Sequence, residues 1–284
     1  MVDDTSIIEM HDTWLTVNSI VGCTNGCKYC FLQATNDNLA RPRVLADAAK
    51  AISCLFSSKY YTTHIPVCLL PNTDPFLNEH NMSYVKEMLD ILAKKKISNP
   101  IILITKCLIP NEFVDYLSNL ITNGMNIVVY LSLSGLSKFY EPNINHANIK
   151  INFCNLASKG IKIIHYYRPF IPENSDAKSI TNLLDFVKDY TNISVITGLK
   201  LKSDFIDKID FWNITSTEKE KCLNAFKNQA FPFDALVKEL NIKRDTSRNP
   251  LFDTMFIYQN SSLKDLKLKK EYNNKRIIIL KNEH

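Results

Sequence analysis

Glycine is scarce in this chain: six residues in 284, none of them in a G-x-G-x-x-G or G-x-x-x-x-G-K run. Both runs need glycine where backbone must approach phosphate, so a Rossmann dinucleotide loop and a Walker phosphate loop are excluded. Long apolar runs are missing too. None approaches the ~18 residues that a membrane span requires, and no membrane partner is expected. The start, Met-Val-Asp-Asp-Thr, lacks the basic and apolar regions of an export signal, and the expected location is the cytoplasm. The six histidines are never adjacent and form no pair at metal-ligand spacing. Residues 1–212 have no net charge, with 20 Lys+Arg against 20 Asp+Glu, and the whole excess of +5 lies in residues 213–284. A neutral body with a mildly basic tail lacks the footprint of a nucleic-acid enzyme, so no such partner is expected.

What the chain does have is alternation. Short apolar strands at Trp14–Ile20, Ile65–Leu70, Ile101–Thr105, Ile127–Leu133, Ile161–Tyr167 and Ile193–Leu199 are separated by helix-period segments. Those segments are Val44–Phe56, Tyr84–Lys96, Asn111–Asn123, Ile149–Lys159 and Ser179–Tyr190. Gly124 and Gly160 sit just past helix ends, where a left-handed cap is needed. Strand and helix in regular alternation indicate parallel βαβ units, and about six of them precede Trp212. An α/β partial (β/α)6 barrel of the TIM type or an open α/β sheet both satisfy this pattern. Beyond Trp212 the pattern changes. Thr215–Lys227 reads as a capped helix, and one more apolar strand follows at Arg276–Leu280. The expected division is therefore a barrel over 1–212 and a short irregular extension over 213–284.

Eight cysteines in a chain without an export signal point to metal or redox chemistry, since disulfides are rare in the cytosol. Cys23, Cys27 and Cys30 follow the first strand directly, in Gly-Cys-Thr-Asn-Gly-Cys-Lys-Tyr-Cys-Phe. Three thiolates on one loop suit a small inorganic cluster; a structural zinc site wants four ligands. The next cysteine, Cys54, lies inside a helix-period segment. The remaining cysteines read mostly as core, with Cys107, at the end of the third strand, best placed to see a site.

The Cys-x3-Cys-x-aromatic-Cys pattern, with Tyr29 as the aromatic residue, resembles the radical S-adenosylmethionine (radical SAM) superfamily. The resemblance implies a partial (β/α)6 barrel and a [4Fe–4S] cluster on the three cysteines. It also implies S-adenosylmethionine bound at the fourth iron and cleaved reductively to a 5′-deoxyadenosyl radical. An electron donor such as flavodoxin or ferredoxin is implied as partner, and oxygen sensitivity with it. The stretches Cys30–Gln33, Asn72-Thr73-Asp74-Pro75, Ile104–Lys106, Ser132-Leu133-Ser134, Glu141-Pro142 and Arg168–Pro172 are similar to the spore photoproduct lyase-like branch over residues ~15–200. That branch assigns Asn72, Thr73 and Asp74 to the substrate amino group and Lys106 to the methionine carboxylate. Ser132 or Ser134 is assigned to carboxylate or ribose, and Arg168 to cofactor or substrate. The branch's photoproduct lyases carry a hydrogen-donating cysteine where this chain has Pro71, so repair of that lesion is not the expected activity.

Residues 229–263, with the core string Arg-Asp-Thr-Ser-Arg-Asn-Pro-Leu at 244–251, resemble part of a nonribosomal peptide synthetase condensation domain. The His-His-x-x-x-Asp-Gly motif of such domains is absent. The extension is thus expected to be a fusion remnant or an interaction element. Two functions are carried forward: a radical SAM enzyme acting on an unidentified substrate, in peptide natural-product biosynthesis if the tail reflects its company, and an iron–sulfur adaptor for a synthetase.

Overall fold

The computed structural model describes residues 7–11, 13–34, 39–199 and, as backbone, 276–279. The strands are β1 (Ile8–Met10), β2 (Leu15–Val17), β3 (Ile20–Val21), β4 (Arg43–Val44), β5 (Val67–Leu69), β6 (Ile101–Thr105), β7 (Ile127–Leu131), β8 (Lys162–Phe170), β9 (Ile193–Gly198) and β10 (Arg276–Ile279). The helices are α1 (Ala48–Ser57), α2 (Glu79–Lys94), α3 (Asn111–Thr122), α4 (His146–Ser158) and α5 (Ala177–Val187). Eight strands form one sheet in the order β1-β2-β5-β6-β7-β8-β9-β10. β1 is antiparallel to β2, and every later neighbour pair is parallel. Each parallel pair from β5 to β9 is joined through a helix, and the architecture is a partial TIM-type barrel.

The helix starts follow capping chemistry. Asp47, Asn78, Asn145 and Asp176 each accept a backbone N–H of the first turn of α1, α2, α4 and α5. Gly124 and Gly160 close α3 and α4 at φ +98° and +66°. The first strand read from the sequence, Trp14–Ile20, is two elements: β2 belongs to the sheet, whereas β3 pairs with β4 in a separate ribbon. The chain divides into two compact units, 1–208 with 260–284, and 209–259. The second unit, with the helix read at Thr215–Lys227 and Cys222, lies outside the described residues. The apolar strand read at Arg276–Leu280 is β10, paired in parallel with β9.

Alternation along the strands sorts the core into two layers. Cys68, Ile102, Tyr130, Tyr166 and Val195 form one buried cluster, with Trp14, Ile104, Val128, Ile164 and Ile193 packed against it. Trp14, Tyr130 and Tyr166 meet edge to face at centroid distances of 5.8 and 5.7 Å. This is the inner layer. The same alternation continues to Lys106 and Ser132, just past the ends of β6 and β7, and to Arg168 near the end of β8, which places three polar residues directly above the apolar interior. The opposite face of β8 carries His165, whose ring lies 6.2 Å from Phe153 of α4 and stacks on Tyr167 at 5.5 Å.

His165 is fully buried, with Nε2 2.9 Å from the Leu133 carbonyl oxygen and Nδ1 2.9 Å from Ser194 Oγ. Burial pushes its pKa down to about 4. The unfolded chain therefore binds a proton here between about pH 6.5 and 4 that the folded chain refuses, and stability falls as pH drops through that window. A shift of this size corresponds to about 3 kcal/mol. Denaturant titrations at pH 7 and pH 4.5 should show that His165→Asn, which cannot charge, loses about 2 kcal/mol less on acidification than the wild type, the remainder being lost below pH 4.5. An equal acid loss in both proteins would contradict the assignment.

Candidate functional site

The cysteine loop leaves β3 through Gly22, whose φ of +113° is closed to other residues, and a Cβ there would stand 2.8 Å from Pro42 Cα. The loop is tied to the barrel by backbone hydrogen bonds: Gly22 N–H donates to the Asn72 carbonyl (3.1 Å), and Lys28 N–H to the Tyr140 carbonyl (3.0 Å). Gln33 closes the loop on itself, donating from Nε2 to the carbonyl oxygens of Cys27 (2.7 Å) and Lys28 (3.2 Å). Cys23, Cys27 and Cys30 are free thiols. Burial pushes Cys23 and Cys27 up to about 12, with Asp74 adding to the rise at Cys23 and Lys106 opposing it at Cys27. Burial raises Cys30 as well, against the pull of Arg168 and Lys106. Cys23 also feels Cys27 and Cys30, so the three thiols share one electrostatic neighbourhood.

Among the described residues, no three His, Cys, Asp or Glu side chains converge closely enough to hold a single metal ion. A zinc ion holds each sulfur at about 2.3 Å and so draws its ligands together, whereas a cluster of several irons spreads them. The donor set, three thiols on one loop with two cations close by, fits the second kind of group. Bound metal deprotonates its thiols outright, whatever their metal-free pKa.

The sequence-read residues fall into three groups. Lys106, Ser132 and Arg168 meet above the inner layer. Lys106 Nζ donates to the Ser132 and Arg168 carbonyl oxygens at 3.4 Å each, and Ser132 Oγ stands 3.5 Å from the Arg168 carbonyl oxygen. The Arg168 guanidinium lies 5.9 and 5.6 Å from the Phe31 and Tyr166 ring centroids and donates to Tyr166 Oη at 2.9 Å. It has no carboxylate partner among the described residues.

Asp74 belongs to a second group, in the turn that follows β5. Its Oδ1 accepts from Thr105 Oγ1 (2.7 Å) and Phe76 N–H (3.0 Å), and its Oδ2 from Lys106 N–H (2.8 Å). Burial raises its pKa even against these bonds. Asn81 of α2 holds the same turn, donating to Thr73 Oγ1 (3.2 Å) and the Asp74 carbonyl (2.8 Å). Asn72 contributes its carbonyl to Gly22. Cys107 joins this group, with Asn25 Nδ2 at 3.5 Å from its sulfur; burial raises its pKa, and Asp74 and then Cys23 add to the rise. Cys68 is in the inner apolar cluster, and Cys54 is buried on α1.

The third group gathers Tyr29 and Ser134 around a residue that the sequence marked only as part of a Glu-Pro pair. Glu141 is 1% exposed and accepts from Lys106 Nζ (2.8 Å), Ser134 Oγ (2.8 Å) and Tyr29 Oη, and its Oε2 lies 2.6 Å from His146 Nε2. Burial alone would raise its pKa. Lys106, His146 and Tyr29 outweigh that and hold the carboxyl far below the usual range. His146, Asn152 and Asn174 were invisible in the sequence because no local pattern marks them. Asn152 of α4 donates to the Cys107 carbonyl (2.8 Å) and accepts from Ile109 N–H (2.9 Å). Asn174 donates to the Ser134 and Pro169 carbonyls (2.8 and 2.9 Å) and accepts from Ile171 N–H (2.9 Å).

A condensation-domain family model matches residues 195–280. This is wider than the 229–263 read from the sequence, and it begins inside β9. Bacitracin synthase 1 of Bacillus licheniformis is 56% identical over 69 residues, which is 24% of this chain and 1% of that protein. Gramicidin S synthase 2 of Brevibacillus brevis is 40% identical over 73 residues, 26% of this chain and 2% of that protein. The chain thus spans about one fiftieth or less of the length of these relatives. The described core resembles different proteins. A spore photoproduct lyase complexed with dinucleoside spore photoproduct superposes with a TM-score of 0.53 at 14% identity, over 77% of this chain and 74% of that one. Streptococcus suis SuiB bound to S-adenosylmethionine gives 0.50 at 15% identity, over 76% and 48%. The fold is the one these proteins share.

Asn174→Ala would remove a buried partner from the Pro169 carbonyl and Ile171 amide of the segment that carries Arg168, and from the Ser134 carbonyl beyond β7. Each orphaned group costs ~1–3 kcal/mol, so urea unfolding should show a loss of about 2–4 kcal/mol or more. A loss under about 1 kcal/mol would mean that the segment is held by other contacts.

Proposed function

We propose that this chain is a radical SAM enzyme. The observation that carries the reading is the placement of Cys23, Cys27 and Cys30 on one loop at the mouth of a partial barrel, beside Lys106 and Arg168. The three thiols would hold a [4Fe–4S] cluster and leave one iron without a protein ligand, and S-adenosylmethionine is the cofactor assigned there. Bound together, the two groups supply an electron and a 5′-deoxyadenosyl radical. The protein's own part is binding and exclusion. Lys106 offers an ammonium to the methionine carboxylate, a charge-assisted contact in a half-buried setting. Ser132 stands beside it as a further donor, and the turn Asn72-Thr73-Asp74, rigid through Thr105 and Asn81, is assigned to the amino group. Arg168 is the cation left for an anionic group of cofactor or substrate. The apolar layer of Trp14, Tyr130 and Tyr166 closes the barrel beneath and keeps water from the reacting end.

A peptide-related substrate is the reading that best joins the two halves of the chain. It is supported by the condensation-domain match over 195–280, whose relatives are peptide synthetases, and by SuiB, which has been solved bound to its precursor peptide. An iron–sulfur adaptor for a synthetase, with the C-terminal part as its docking element, is the second reading, and that same match favours it. The electron donor in this proposal is a flavodoxin or ferredoxin.

Anaerobic reconstitution should load about four irons per chain and, with reductant, convert S-adenosylmethionine to 5′-deoxyadenosine. The triple variant Cys23→Ala, Cys27→Ala, Cys30→Ala should do neither. Iron retained in full by the triple variant would rule out the site. Iron bound without 5′-deoxyadenosine, under any reductant and with peptide substrates present, would favour the adaptor.

A further inference from the structure

Glu141 receives donors from four separate parts of the chain: Tyr29 of the cysteine loop, Lys106 at the end of β6, Ser134 beyond β7 and His146 in the first turn of α4. A carboxylate that is 1% exposed is costly unless it is paired and fully hydrogen-bonded. This one is placed where it touches both the loop of the three thiols and the cation above the inner layer. The Lys106 ammonium has one short contact, to Glu141 at 2.8 Å; its other two, to the carbonyl oxygens of Ser132 and Arg168, are 3.4 Å long. Lys106 is a flexible side chain with four rotatable bonds, so these contacts decide where its charge sits. Tyr29 accounts for the coupling. Its hydroxyl donates to the same Oε1 that Lys106 occupies, so the loop and the cation are referenced to one oxygen atom.

We propose that Glu141 is a positioning residue: through Lys106 and Tyr29 it fixes the ammonium relative to the cysteine loop in the pose that receives the S-adenosylmethionine carboxylate. The proposal rests on the radical SAM reading and adds to it the residue through which Lys106 acts. Glu141 itself does not touch the cofactor. Removing its charge while keeping its shape leaves Lys106 with two long carbonyl contacts, and the ammonium is free to swing away. A purely structural Glu141 would behave differently, because its loss would lower stability and leave the affinity of the folded protein intact.

The test is a double-mutant cycle on the reconstituted full chain, with Glu141→Gln, Lys106→Met and both together. It reads iron content, S-adenosylmethionine affinity by equilibrium dialysis and thermal midpoint. Iron content should hold in all four proteins, because no thiol is hydrogen-bonded to Glu141 among the described residues. Each single variant should bind S-adenosylmethionine ten- to hundredfold more weakly. The double variant should be no weaker than Lys106→Met alone, while its thermal midpoint recovers above that of Glu141→Gln. Losses that multiply in the double variant would overturn the proposal, as would unchanged or tighter binding by Glu141→Gln. Tighter binding would mean that Glu141 competes with the cofactor for Lys106. A wild type that takes up iron but no S-adenosylmethionine would instead overturn the underlying reading, and the proposal with it.

Discussion

The arrangement around the barrel mouth depends on where buried negative charge can be neutralised. Two carboxylates, Asp74 and Glu141, are 4% and 1% exposed. Neither stays there without donors, and the donors come from the elements that make the site. Asp74 draws Thr105, Phe76 and the backbone of Lys106 together. Glu141 draws together the side chain of Lys106, the cysteine loop, the β7 exit and the start of α4. Lys106 is thus held at its backbone by one carboxylate and at its ammonium by the other. Breaking the ion pair would strand a charge in a low-dielectric setting, and breaking the backbone contact would leave Asp74 one donor short; these penalties keep loops from five parts of the chain in register.

The parallel sheet supplies the rest. Every parallel strand delivers its C-terminal end to the same face, so residues far apart in sequence arrive side by side. The two-residue period then decides which of them look inward. Ile102, Ile104 and Lys106 follow one another on one face of β6 and its exit, as do Val128, Tyr130 and Ser132 on β7, and Ile164, Tyr166 and Arg168 on β8. An apolar layer and a polar rim therefore come from the same alternation.

This periodicity is why much of the fold was legible in the sequence. The alternation of strands with the five described helices, the glycine helix ends and the late strand at 276–279 all follow from local pattern. The misses have physical causes. β1 is three residues long and too short to show a period. Trp14–Ile20 splits because Asn18 and Ser19, both buried, turn the chain from the sheet into the β3–β4 ribbon. α1 begins at Ala48, four residues later than the apolar pattern suggested, because Asp47 caps it. Within the site, the cysteines and strand-end polar residues were readable, since their spacing and position carry the signal. Glu141's role was not, because its partners Tyr29 and Lys106 lie 112 and 35 residues away. Asn152 and Asn174 were hidden for the same reason, as their work is to satisfy carbonyls and amides that only the folded chain brings near.

The C-terminal part and the core resemble different proteins. Relatives of the C-terminal part are peptide synthetases, whereas the fold of the core is that of spore photoproduct lyase and SuiB. The two descriptions overlap at β9, where the family-model match starts, and β10 near its end pairs with β9 in the same sheet. The most direct test of the central claim is the electron paramagnetic resonance spectrum of the dithionite-reduced, reconstituted protein before and after S-adenosylmethionine is added. A [4Fe–4S] signal that changes on addition, through an iron that Cys23, Cys27 and Cys30 leave open, is the predicted result. A signal indifferent to S-adenosylmethionine, or a chain that takes up zinc and no iron, would contradict the account.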